Sequence, residues 1–85
     1  MQIINRSLPI ANSTLRTLIN ELGIECQNIT ALIHQLQSPH LSDRQQAEIL
    51  AELLTATIHL NVHCGEDFQE LIAEEMEKLP DDDEL

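Results

Sequence analysis

Aromatic side chains are almost absent from this 85-residue sequence: it has no Trp or Tyr, and Phe68 is the one Phe. A sandwich of sheets built on stacked rings is thereby disfavoured, and the interior has to come from Leu, Ile, Val, Ala and Met, which suit helix packing. Cationic residues are scarce as well, four Lys and Arg against fifteen Asp and Glu. Without a positive cluster to neutralise phosphates, neither nucleic acid nor an anionic membrane is expected as a direct partner. Long apolar runs are also missing. None approaches the roughly 20 residues that span a bilayer, and the opening MQIINRSLPIANS lacks the charged and apolar regions of a secretory signal. A cytoplasmic location is the expectation. Cys26 and Cys64 are too few and too far apart for a CxxC metal or redox motif, and are expected to be reduced, largely buried thiols.

A chain this short hides only about 60 to 65 % of the surface that its unfolded form exposes, so extra burial by self-association is expected. The formal net charge of -11 is unevenly placed: residues 66–85 carry ten acids against Lys78, and residues 1–65 carry five against Arg6, Arg16 and Arg44. The closing DDEL looks like an endoplasmic-reticulum retention ending, but without a secretory signal such an address has nothing to act on. It is read as an acidic tail.

Three helices are legible. Leu15, Leu18, Leu22, Cys26, Ile29, Ile33 and Leu36 step by three or four, the stripe of one amphipathic helix near 14–37. Asn12 or Ser13 caps its start, Gly23 is a weak point within it, and Ser38-Pro39 ends it. Ser42-Asp43-Arg44-Gln45 fits a capping box and opens a second helix near 42–64, with Leu50, Leu53, Leu54, Ile58 and Val62 as its stripe. At Gly65-Glu66-Asp67 a left-handed cap and a bend are expected, followed by a third helix near 66–79 that buries Phe68, Leu71, Ile72 and Met76.

The short connection at 38–41 makes the first two helices antiparallel neighbours. The fold class expected is all-α: an antiparallel hairpin plus a third helix, pairing into a dimeric helical bundle. Residues 1–79 form one helical domain and 80–85 an acidic disordered tail. Leu22, Ile29, Leu50, Leu54, Ile58 and Leu71 are the expected core.

Counting about the turn brings residues 21–25 level with 52–59, so Glu21, Glu25, Glu48 and Glu52 are the candidate metal ligands: magnesium takes hard oxygens, and carboxylates three or four residues apart on facing helices supply them. His59 and His63, one helical turn apart, form an alternative transition-metal pair, with Glu66 as a third ligand. Set against these readings is the plain one, in which Glu48, Glu52, His59 and His63 line the wet face of a helix. Glu70, Glu74 and Glu77 fall in a row on the third helix and are candidate contacts for a basic protein partner.

The longer pattern, ELG at Glu21 to Gly23, ILAELL at Ile49 to Leu54, then Gly65, Asp67, Phe68 and EEMEK through Lys78, resembles the all-α nucleoside triphosphate pyrophosphohydrolases of the MazG type over residues 15–79. In register with that family's acids, Asn20, Ile24 and Ile49 replace three of them, while Glu21 and Glu52 keep two. Glu25 and Glu48 each sit one residue from a replaced acid, a rotation of about 100° on a helix. The resemblance implies Mg2+-dependent release of pyrophosphate by a metal-activated water. The incomplete acid set points instead to a non-catalytic homodimer that keeps the frame and serves as an adaptor for a basic protein.

Overall fold

The computed structural model describes residues 8–80, and the expected acidic tail lies outside them beyond Pro80. All regular structure among these residues is helical. It comprises α1 (Ser13–Leu36), α2 (Asp43–His63) and α3 (Glu66–Lys78). None of the three is long and apolar enough to cross a membrane.

The helix starts follow from side-chain caps. Asn12 Oδ1 accepts the Leu15 N–H at 3.0 Å and opens α1. At α2, Ser42 Oγ accepts the Gln45 N–H at 3.1 Å while Gln45 Oε1 accepts the Ser42 N–H at 2.9 Å. Each such cap satisfies backbone donors that a helix leaves unpaired. Helix α1 runs through Gly23 without a break. Tertiary packing therefore outweighs the roughly 1 kcal/mol that glycine costs there.

Gly65 departs from expectation. It is not a left-handed cap: its φ is -74° and its ψ -171°, and it serves as the extended N-cap of α3, one residue after Cys64 ends α2. Its amide donates to Val62 O at 3.2 Å and its carbonyl accepts from Gln69 N–H at 3.1 Å. The chain thus turns within a residue and restarts a helix whose first turn holds Glu66 and Asp67, where their charge is favourable to the dipole.

Helix α1 packs chiefly on α2 and more lightly on α3. Both partners run antiparallel to it, since His63 meets Leu18 and Glu75 reaches Ala11. The result is a long body of 56 × 26 × 24 Å in which α1 backs a second arm made of α2 and α3. Among the described residues the buried side chains are Leu15, Leu32, Ala56 and Phe68. Of the expected core, Leu22, Ile29 and Leu71 are half-buried, whereas Leu50, Leu54 and Ile58 are exposed at 47, 62 and 54 %. Expected buried, Ile72 and Met76 are exposed too. The thiols are likewise less covered than anticipated, Cys26 exposed and Cys64 half-buried.

The reason lies in how α2 is turned. Ile49, Leu53, Ala56 and Leu60 step by three or four and are the side chains of α2 that lose solvent in the hairpin. Leu50, Leu54, Ile58 and Val62 step by four on the far side and keep it. The helix is apolar on two opposite faces, and one hairpin covers only one.

Candidate functional site

Three surfaces bear chemistry or binding capacity: the polar rim between α1 and α2, the acidic side of α3, and the outer face of α2.

On the rim, Glu25, Glu52 and His59 line one groove with Asn28 and Thr55. Glu21 and Glu25 line a second with His59 and His63. Glu48 and Glu52 line a third, near the hairpin turn, with Gln35 and Gln45. The level expected for residues 21–25 against 52–59 is therefore found, with Glu25 as the α1 acid that shares a groove with Glu52. The four carboxylates are nevertheless spread along the rim. Among the described residues, no group of three or more His, Cys, Asp or Glu side chains is placed to hold a metal ion. Glu48 instead meets Arg44 Nε at 3.3 Å, one turn back on its own helix. Both side chains are well exposed, so this pair adds well under 1 kcal/mol.

His63 has a structural occupation. Its Nε2 lies 2.8 Å from the Leu18 carbonyl; a carbonyl only accepts, so Nε2 carries the proton and donates. The ring also packs against Phe68, with centroids 4.9 Å apart and planes tilted by 59°. His63 thus fastens the end of α2 to both α1 and the first turn of α3, and only Nδ1 is left for a metal. The signal for this was present in the spacing: position 63 follows Leu60 by three and Ala56 by seven, on the buried side of α2. His59, four residues earlier, is exposed on the rim.

On α3, Glu70, Glu74 and Glu77 are all exposed, a row of carboxylates at helical spacing. Glu75 differs: its side chain is 14 % exposed, accepts the Ala11 N–H through Oε2 at 3.4 Å, and lies 3.7 Å from Lys78 through Oε1. It belongs to the seam that joins α3 to the start of α1. On other sides of the same segment Ile72, Met76 and Leu79 are exposed at 37, 66 and 62 %.

The outer face of α2 went unrecognised as a surface in the sequence. Leu50, Leu54, Ile58 and Val62, exposed at 47, 62, 54 and 74 %, form an unbroken apolar strip flanked by Ala47, Ala51 and Thr55. No charged side chain interrupts it. A helix that is apolar on two sides is normally covered on both, and the described residues of one chain cover only one side of α2.

No family model matches the chain, and neither a curated protein nor a solved structure shows significant similarity to it.

Proposed function

We propose that this chain is a non-catalytic, cytoplasmic helical pairing protein: two copies join through the outer face of α2, and each presents an acidic α3 to a basic protein partner. The strip of Leu50, Leu54, Ile58 and Val62 carries this reading. Fully burying such a side chain is worth about 1.5 to 3 kcal/mol, so the exposed halves of these four, counted in both copies, leave on the order of 10 kcal/mol of gross burial unrealised. That is the scale on which the loss of free motion in association is overcome. A second copy is the fitting occupant because the face is self-complementary in character, apolar throughout and without a charge that would need a counterpart.

The MazG-type resemblance lies in the sequence pattern alone, and the hydrolase reading it implies is not favoured, since that chemistry needs carboxylates gathered about a metal and, among the described residues, no three potential ligands are so placed. For the acidic end, six acids of α3 stand against Lys78, and the row at Glu70, Glu74 and Glu77 points to solvent. Such a field speeds encounter with a basic surface and yields salt-sensitive binding. Capture from native lysate at low and moderate salt tests the partner: the wild type retains basic proteins that Glu70→Gln/Glu74→Gln/Glu77→Gln releases. Identical captured sets would remove the recognition role of α3 and leave the pairing standing.

A further inference from the structure

Resting on that pairing, we infer that the two copies lie antiparallel along α2, related by a two-fold axis beside Leu54. Identical faces can meet in either sense, and charge separates the two.

In the parallel sense the two chains run in step, and the two α3 helices, each with Glu66, Asp67, Glu70, Glu74, Glu75 and Glu77 against Lys78, leave the seam at the same end. Helices in contact lie only about 8 to 10 Å apart, roughly one screening length, so two such acidic segments repel there.

The antiparallel sense keeps the apolar match and reverses the charge match. With Leu54 at the axis, Leu50 comes level with Ile58 of the second copy and Ile58 with its Leu50, so large side chains meet across the seam. Arg44 comes level with Cys64 of the second copy, next to the Glu66 and Asp67 that begin its α3. Arg44 is the one Lys or Arg on α2, and its ion pair among the described residues is the exposed one with Glu48 at 3.3 Å. Glu48, for its part, comes within a residue of His59 on the second copy's matching rim. The two acidic α3 helices are carried to opposite ends of the assembly, each free to meet a basic partner.

Spin labels decide between the senses. In a Cys26→Ser/Cys64→Ser background, Asp43→Cys and Thr57→Cys are labelled separately and inter-copy distances are read by dipolar spectroscopy. Both positions are exposed. Helical rise places the two copies of position 43 about 34 Å apart in the antiparallel pair, and the two copies of position 57 about 13 Å apart. In a parallel pair both separations are about 10 Å. A long distance at 43 with a short one at 57 is the expected result. Short distances at both positions, in a chain that sediments as a dimer, would overturn the antiparallel assignment alone. No dipolar interaction at either, with a monomeric mass, would overturn the pairing itself.

Discussion

Shortening Leu54 to alanine separates a chain that stands alone from one that pairs. In the single chain this side chain is 62 % exposed, whereas Leu32 is 2 % exposed. Leu32→Ala removes a packed core group and should lower stability by about 2 to 5 kcal/mol at any protein concentration. Leu54→Ala removes only the covered fraction of a leucine from the monomer, about 1 kcal/mol or less. In a dimer the exposed three-fifths is also buried, worth about 1 to 2 kcal/mol per copy and about 2 to 4 kcal/mol per pair. The dissociation constant then rises roughly 30- to 700-fold. Urea unfolding followed by circular dichroism at several protein concentrations reads both effects. The wild-type midpoint should climb with concentration, as mass action requires, and the Leu54→Ala midpoint should stay flat over the same range. Equal losses from Leu54→Ala and Leu32→Ala at high dilution would refute the packing described for α2, and an unchanged concentration dependence would refute its role in pairing.

His63→Ala deletes the bond to the Leu18 carbonyl and the contact with Phe68; thermal unfolding should show a loss of about 1 to 3 kcal/mol, whereas His59→Ala on the exposed rim should show almost none. Millimolar Mg2+ or Mn2+ should leave the melting temperature of wild type and of Glu52→Gln alike, because no three-ligand group awaits a metal among the described residues. A rise confined to wild type would reinstate a metal site on the rim.

The helices were legible because their boundaries are written in local chemistry. Asn12 and the Ser42/Gln45 box act through their own backbone neighbours, so no knowledge of the tertiary fold was needed to place them, and each observed helix starts or ends within a residue of the expected position. The facing of α2 was not legible in the same way. Ile49, Leu50, Leu53, Leu54, Ile58, Leu60 and Val62 satisfy a helical period on either of two faces, and periodicity cannot say which face meets α1. The stripe of Leu50, Leu53, Leu54, Ile58 and Val62 mixes the two: Leu53 loses solvent in the hairpin, and the other four stay exposed. The rim suffered from a related limit: counting about the turn gives the height of Glu25 and Glu52 but not the direction of their side chains, so proximity in level did not become a cluster. His63 shares the rim with His59, but its place one turn after Leu60 brings its ring half under cover, where it meets Leu18 and Phe68.

Sedimentation equilibrium of the unmodified chain, beside Leu54→Glu, tests the pairing most directly. The account predicts that wild type at tens of micromolar has twice the 9.6 kDa mass of one chain, and that Leu54→Glu, folded by circular dichroism, has the mass of one. A wild type that remains a folded monomer into the high micromolar range, or a Leu54→Glu variant that still pairs, would contradict it.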